Sequence, residues 1–149
     1  MNSSQNFQLS FWLASLSFIT FLMILIGGLT RLTDSGLSMV DWRPFLGTIP
    51  PLSYESWIKV FEAYKNTPEY LIVNNSMGLD EFKVIFWWEW FHRFLARFLG
   101  LVFIFPLIYF LIKRVISKKL LIILIIVFIF GIFQAFVGWW MVKSGLNEN

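Results

Sequence analysis

The segment from Phe86 to Arg93 combines side chains that could do chemistry. It reads Phe-Trp-Trp-Glu-Trp-Phe-His-Arg and contains His92, the only histidine in the sequence. Glu89 lies three residues before His92, so a helix would place both on one face, about one turn apart. Imidazole is a familiar axial ligand of haem iron, and an ionisable pair at the mouth of a membrane span indicates a functional site because it is costly there.

A wider helix face surrounds this pair. At about 100° per residue, one sector holds Glu89, His92, Arg93, Ala96 and Gly100. Small residues at 96 and 100 would let a flat ring, or another helix, approach the backbone. Arg97 lies somewhat off this face and could reach a haem propionate or a lipid phosphate. Two interpretations stay open: a haem pocket at the end of a helical bundle, or a packing groove with a solvated histidine at its rim.

The composition indicates a membrane protein. The 149 residues are 58% hydrophobic and only 14% charged, and the mean hydropathy is +0.70, which is too apolar for a soluble domain. The chain has no cysteine, which excludes disulfides, iron–sulfur clusters and thiol chemistry within it. The net charge of +3 is small and its cations are dispersed, so nucleic acid is not an expected partner.

Three apolar runs are long enough to cross a bilayer, which takes about 20 residues. They cover about 11–31, about 86–112 within a longer helix that begins near Leu79, and about 120–142. Because backbone groups in lipid must be satisfied internally, these runs are expected to be helices. The predicted fold is an all-α integral membrane protein: a single membrane domain of three transmembrane helices with a long outer loop at about 32–83.

Loop charge predicts the orientation. The short connection between the second and third spans carries four cations, Lys113, Arg114, Lys118 and Lys119. Such a cluster favours the cytoplasmic or matrix side, so the N-terminus would be inside and the loop at 32–83 on the outer face.

The outer loop is expected to hold one short helix. Ser53 could cap it, and an apolar stripe follows at helical spacing: Trp57, Val60, Phe61 and Tyr64. Thr67 and Pro68 are expected to end it. Gly78 is the expected N-cap of the long helix that begins at Leu79, although a hydroxyl side chain would cap better.

Polar side chains in the other two spans are ambiguous. Gln134 is expected to face the bundle interior, and a packing seam is the favoured interpretation of its neighbours Gly131, Ala135 and Gly138. Arg31 ends the first span on the same face as Gly27 and Thr30. It could pair with a carboxylate or extend to the lipid headgroups, and the sequence leaves both open.

Several long strings remain: GGLTRLT at 27–33, SGLSMVDW at 35–42, Pro44, PPLS at 50–53, Phe82-Lys83, IFW at 85–87, Glu89-Trp90, His92-Arg93 and GWWMVKSGL at 138–146. In these strings the chain resembles the haem A synthase family, in the form found in mitochondria and related bacteria. The resemblance covers nearly the whole chain after its first few residues.

The resemblance implies an oxidoreductase that converts the C8 methyl of haem O to a formyl group, giving haem A for cytochrome oxidase. The family enzyme has about eight helices in two four-helix halves. Each half supplies two haem-ligating histidines; one half holds the substrate and the other a b-type haem cofactor. By this resemblance His92 is an axial ligand of haem iron and Glu89 is catalytic. Arg93 and Arg97, near the face of His92, and Arg31, at the end of the first span, are the expected cofactor-binding residues. Glu89→Ala is then expected to spare the fold and stall oxidation.

The resemblance also implies that only an N-terminal portion is present, since the chain ends after three spans and has one axial ligand. Expected partners are the bilayer, haem O, and a missing complementary half, a second copy or haem O synthase, in a bacterial or mitochondrial inner membrane. The alternatives are a non-catalytic membrane haem-binding or assembly subunit, or an inactive truncated remnant.

Overall fold

A computed structural model describes residues 3–40 and 49–145. It contains α1 (Ser3–Leu32), α2 (Tyr54–Lys65), α3 (Pro68–Ile72), α4 (Leu79–Ile112) and α5 (Lys118–Gly145), and no strand occurs within those two ranges. By length and composition, α1, α4 and α5 could each cross a membrane. The predicted all-α membrane fold with three spans is therefore confirmed. Four residues of the strings quoted above lie outside the described residues: Asp41, Trp42, Pro44 and Leu146.

The long helices extend beyond the apolar runs that predicted them. The runs mark only the segments that lipid would cover, whereas the helices continue into polar residues at their ends, as the bounds of α1 and α5 show. The start of α4 is as predicted: Gly78 is its N-cap and donates its backbone N–H to Glu81 Oε2 at 2.9 Å. Glu81 thus accepts the N-cap's own N–H, as in one half of a capping box, while Gly78 has no side chain to accept an N–H of the first turn.

Helices α1 and α4 form the main packed pair. Trp12 of α1 packs against Phe103 and Phe110 of α4, with ring centroids 6.2 and 5.4 Å apart. Pro106 has no N–H to give to the Val102 carbonyl one turn earlier. Trp12 Nε1 donates to that carbonyl at 2.7 Å, so α1 satisfies a backbone group that the proline leaves open inside an apolar helix.

Helix α5 packs through a small apolar contact. Leu124 is buried with the α1–α4 core, and Phe128 stacks on Phe103 with centroids 5.6 Å apart. Gln134, by contrast, is exposed together with Gly131 and Ala135. The three described helices therefore leave Gln134 uncovered, because α5 uses its larger apolar side chains to contact the other helices, and an interior position for Gln134 stays a prediction for an assembly that covers this face.

The end of α1 reverses the chain direction. Asp34 adopts a left-handed conformation with φ 49°. The N–H of Ser35 donates to Thr30 O at 2.9 Å, and the N–H of Asp34 donates to Arg31 O at 3.3 Å. This double hydrogen bond is a Schellman motif. It stops α1 and directs the following residues back across the helix ends.

The segment between α1 and α4 is termed the cap; residues 33–40 and 49–78 of it are described. Helix α2 begins as predicted, with Ser53 Oγ accepting the Ser56 N–H at 3.2 Å. The sequence prediction missed α3. Thr67 accepts the Tyr70 N–H through its hydroxyl at 3.3 Å, and Pro68 is the first residue of α3. The two residues that were expected only to end one helix therefore also begin the next.

An aromatic core fixes the cap to α4. Tyr64 and Phe82 are both 0% exposed, and their ring centroids lie 5.0 Å apart. Phe61 packs on Phe82 at the same centroid distance, and Asn74 donates to Tyr64 Oη at 2.9 Å. The cap therefore rests on the first turns of α4, directly before the segment that holds Glu89 and His92.

Candidate functional site

Glu89 carries a buried and fully hydrogen-bonded carboxylate. The residue is 2% exposed. Its Oε2 accepts from Ser38 Oγ at 2.6 Å and from the backbone N–H of Met39 at 2.8 Å. Its Oε1 accepts from Arg93. A buried carboxylate without such partners would be very costly, so these donors make its burial possible.

Arg93 completes this arrangement from the same helix. It follows Glu89 by one turn, is 8% exposed, and donates through Nη2 to Glu89 and to Met39 O at 3.3 Å. The four residues Ser38, Met39, Glu89 and Arg93 are termed the Glu89 network. Because the network joins the cap to α4, it locks the Ser38–Met39 backbone over the helix.

The turn after α1 brings Ser38 to this position. Thr33 and Ser35 share a hydrogen bond of 2.6 Å between their hydroxyls, and Ser35 is fully buried. These contacts fix the reversal that begins at Asp34. The chain then returns across the helix ends until the Ser38 hydroxyl meets the Glu89 carboxylate.

His92 faces another direction, towards α1. A side-chain Cβ placed on Gly27 would lie 3.1 Å from His92 Nε2 and 3.5 Å from its Cδ2. The imidazole edge therefore packs against bare backbone. Within the described residues, no hydrogen bond links His92 to Glu89 or to any other group. The helix face that the sequence predicted thus divides, with Glu89 turned to the cap and His92 turned to α1.

The remaining predicted site residues are more dispersed. Arg97 is half-buried one turn beyond Arg93 on α4, and Arg31 is exposed at the end of α1. Ala96 is exposed, and Gly100 is half-buried with open space before it. The structure therefore brings Arg93 to Glu89, keeps Arg97 on the same helix, and leaves Arg31 outside the network.

His92 is suited to a metal that needs few protein ligands. No group of three or more His, Cys, Asp or Glu side chains that could hold an ion occurs within residues 3–40 and 49–145. A porphyrin supplies the equatorial ligands of its own iron, so the protein provides only axial groups. A half-buried imidazole with no hydrogen-bond partner among the described residues can supply one such axial group, through Nδ1 as the ring lies here or through Nε2 once the ring turns away from Gly27.

Three contributors to the site were not assigned a role there from sequence. Ser38 and Met39 lie about fifty residues from Glu89, and no local periodicity connects them. Gly27 was placed on a face with Thr30 and Arg31, but its contact with His92 depends on how α1 and α4 pack. The Glu89–Arg93 pair has the four-residue spacing of a helical ion pair, which was a signal available in the sequence.

Nearly the whole chain is similar to known proteins. The family of cytochrome oxidase assembly proteins matches residues 10–149. A protein named "Heme A synthase" from Parvibaculum lavamentivorans is 46% identical over 141 residues, covering 95% of this chain and 41% of the relative. Proteins of the same name from Nitrosospira multiformis and Agrobacterium fabrum are 50% and 51% identical, covering 95% and 93% of this chain. No solved structure matches the chain significantly.

The chain is shorter than these relatives. It spans about two fifths of the length of the curated relatives it matches, namely 41%, 40% and 38% of the three proteins named above. The matched range includes Gly27, Ser38, Glu89 and His92, so the site lies inside the shared region. From this coverage and identity, the chain belongs to the cytochrome oxidase assembly protein family.

Proposed function

We propose that this chain forms part of a haem A synthase, in which the C8 methyl of haem O is oxidised to a formyl group. The proposal rests on two neighbouring side chains of α4, His92 and Glu89. A half-buried imidazole lies one turn from a buried carboxylate that is held by the Glu89 network. The relatives named haem A synthase share this region of the chain.

In this proposal His92 is an axial ligand of haem iron. The iron supplies the redox chemistry when the haem is bound. Arg97 and Arg31 are the cations assigned to the haem propionates. Arg93 is already committed to Glu89 and Met39, so we assign it a different role: it holds the Glu89 carboxylate in place and acts on the haem only through that residue.

Glu89 is the group proposed to handle protons. With water as the oxygen source, the reaction is R–CH3 + H2O → R–CHO + 4 H⁺ + 4 e⁻, so four protons must leave and an external acceptor must take four electrons. A carboxylate close to the reacting edge is a suitable base for such steps. Its hydrogen bonds to Ser38 and Met39 fix its orientation, and the Ser38 hydroxyl offers a neighbouring site through which a proton could pass.

The proposed setting is a bacterial or mitochondrial inner membrane. The cationic connection between α4 and α5 supports an orientation with residues 113–119 inside and the cap outside. The Glu89 network and His92 would then lie at the outer ends of α1 and α4.

The proposal is tested by haem analysis of His92→Ala. The protein would be produced in cells that supply haem O, purified in detergent, and its extracted haem identified by chromatography. The variant should lose its haem, whereas Phe91→Ala, at the adjacent exposed position, should keep it. Unchanged haem content in His92→Ala would remove the ligand assignment, and the absence of haem A from the wild-type protein would remove the proposed function.

One observation favours a second candidate, a non-catalytic haem-binding or assembly subunit. The chain has a single histidine and therefore one axial imidazole. This candidate predicts haem bound through His92 and no haem A from the wild-type protein. An inactive remnant predicts neither haem nor haem A, so the same analysis separates the three.

The partner is proposed from the exposed surface of α5. Gly131, Gln134 and Ala135 form a polar and small-residue stripe that the described helices leave uncovered. A polar amide facing lipid is unfavourable, and small residues suit close helix packing. We infer that a complementary part of the enzyme, a second copy or haem O synthase covers this stripe.

A further inference from the structure

We propose that Gly27 is the positioning residue for His92: the bare backbone of α1 sets the place of the imidazole, and a side chain at position 27 displaces it. This inference rests on the proposed role of His92. It differs from that proposal because it concerns how the imidazole is held, not what it binds.

The imidazole lies close to the backbone of α1 at Gly27. A Cβ at position 27 would meet Nε2 at 3.1 Å, Cδ2 at 3.5 Å and Cε1 at 4.0 Å, so it would face the whole ring edge. Carbon atoms pack favourably at about 3.5–4.0 Å. Even the smallest side chain would therefore shift the imidazole by a few tenths of an ångström, and a longer one would occupy its space.

The backbone of α1 cannot easily withdraw to make room. Thr30, one turn beyond Gly27, is buried, and its hydroxyl lies 3.5 Å from the carbonyl oxygen of Trp88, one turn before His92. The Thr30 hydroxyl gives its hydrogen to Ile26 O at 2.8 Å, so α1 and α4 are held close here by the packing of the buried Thr30 side chain and not by a bond to Trp88. A larger residue at position 27 would therefore displace the imidazole and would not move α1 away from α4.

The contact matters because little else orients the ring. A ligating histidine usually has its orientation fixed by a hydrogen bond from its second ring nitrogen. Within the described residues no such bond is present for His92. Packing against Gly27 is the feature of the described structure that restrains the edge carrying Nε2.

Gly28 provides a matched control. It is the next residue of the same helix, it is exposed, and a Cβ there would meet nothing within 4 Å. Replacing either glycine by alanine or leucine raises the helix propensity equally. A difference between the two positions therefore reports the contact with His92 and not a general effect on α1.

The first measurement uses the fact that His92 is the only histidine. Carbon-13-labelled histidine gives one set of imidazole signals in the detergent-purified protein without haem. Gly27→Ala should shift these signals, and Gly27→Leu should change the rate at which diethyl pyrocarbonate modifies His92 by severalfold. Gly28→Ala and Gly28→Leu should match the wild type. Equal behaviour of the two positions would overturn the inference.

The second measurement titrates the same proteins with ferric haem and records the absorption spectrum. Gly27→Leu should weaken binding at least tenfold and alter the spectrum, whereas Gly28→Leu should stay within twofold of the wild type. In a His92→Ala background Gly27→Leu should have no further effect. An equal loss in both backgrounds would show that position 27 acts independently of His92.

The two proposals fail in different ways. If His92→Ala binds ferric haem as the wild type does, the ligand role fails, and the imidazole signals still decide the contact with Gly27. If His92→Ala loses haem but both Gly27 variants bind normally, the positioning role alone fails. Helical circular dichroism and gel filtration establish that each variant is folded; should Gly27→Leu misfold, the signals of Gly27→Ala decide the question.

Discussion

Ser38 donates a 2.6 Å hydrogen bond to the carboxylate of Glu89, across 51 residues of sequence. The bond joins the cap to the helix that carries the candidate site, and the adjacent Met39 N–H strengthens the attachment. The position of the cap therefore depends on the hydrogen bonds that the Glu89 carboxylate accepts. Loss of one of these bonds should be measurable as a weaker attachment of the cap.

Ser38→Ala tests this link. A hydrogen bond to a charged group contributes about 1.5–3 kcal/mol, so the variant should unfold at lower temperature in detergent and its cap should be cleaved faster by protease. Ser17→Ala is the control, since the Ser17 hydroxyl only bonds back to Leu13 O within α1. Equal stability of Ser38→Ala and Ser17→Ala would contradict the assigned role of Ser38.

The structure changes the expected result of Glu89→Ala. The sequence led to the expectation that this variant keeps its fold, but alanine would leave Arg93 buried without its carboxylate. Breaking a buried ion pair in this way costs about 3–5 kcal/mol. We therefore expect Glu89→Ala to be clearly destabilised in thermal unfolding.

Glu89→Gln is the better probe of catalysis. Glutamine keeps the shape of the side chain and an oxygen that can accept from Ser38 and Met39, but it cannot take up a proton as a carboxylate does. The variant should retain more stability than Glu89→Ala, bind haem, and accumulate unoxidised haem or an alcohol intermediate. Normal haem A formation by Glu89→Gln would exclude a proton-handling role for Glu89.

The sequence predicted those features that depend on local patterns. The three spans, the Ser53 cap of α2 and the Gly78 start of α4 all follow from apolar runs or capping residues within a few positions. Helix α3 was missed because Thr67 and Pro68 can end one helix or begin another, and local sequence does not separate the two uses.

The contacts that build the site could not be predicted in this way. The bond from Ser38 to Glu89 and the packing of His92 on Gly27 both depend on how separate elements meet. The same limit applies to Gln134: polarity predicts an interior position but not which element covers it, and among the described helices α5 packs through the bulky residues Leu124 and Phe128.

Glu69 should make stability depend on pH. Burial, and then the nearby Asp34 carboxylate, raise the pKa of Glu69 above its usual 4.5. The folded state therefore binds this proton more tightly than the unfolded state. The resulting stabilisation is present below about pH 4.5 and is lost as the pH rises through the raised pKa.

Glu69→Gln should accordingly raise the melting temperature at pH 7 and change it little near pH 4. Asp34→Asn should produce a smaller shift of the same sign, since repulsion from Asp34 is the lesser cause. Thermal unfolding in detergent at the two pH values is the measurement. A Glu69→Gln effect of equal size at both would exclude this carboxyl as the source of the pH dependence.

Arg114 is predicted to cost stability where α4 ends. It has φ 55° and occupies the left-handed position of a Schellman motif, with the Val115 N–H donating to Phe110 O at 3.1 Å. Arg114→Gly relieves the steric penalty of a side chain there but adds chain entropy to the unfolded state, so a net gain of about 0.5–1 kcal/mol is expected.

The matched control for this change is Arg114→Ala. Alanine removes the same charge but keeps the Cβ that causes the strain, so it should give no comparable gain in the melting temperature. If alanine and glycine stabilise equally, the effect comes from the charge of Arg114 and not from its backbone conformation.

The ion pair between Glu89 and Arg93 has a consequence for how the protein is made. Both partners lie on α4 and one turn apart, so their charges can neutralise each other as soon as that helix winds, without help from another segment. A newly synthesised α4 can therefore enter the bilayer with Glu89 and Arg93 already paired, which leaves Arg97 as the one further charge of its apolar span. Ser38 and Met39, which leave the ribosome earlier, then need only close over a pair that has already formed.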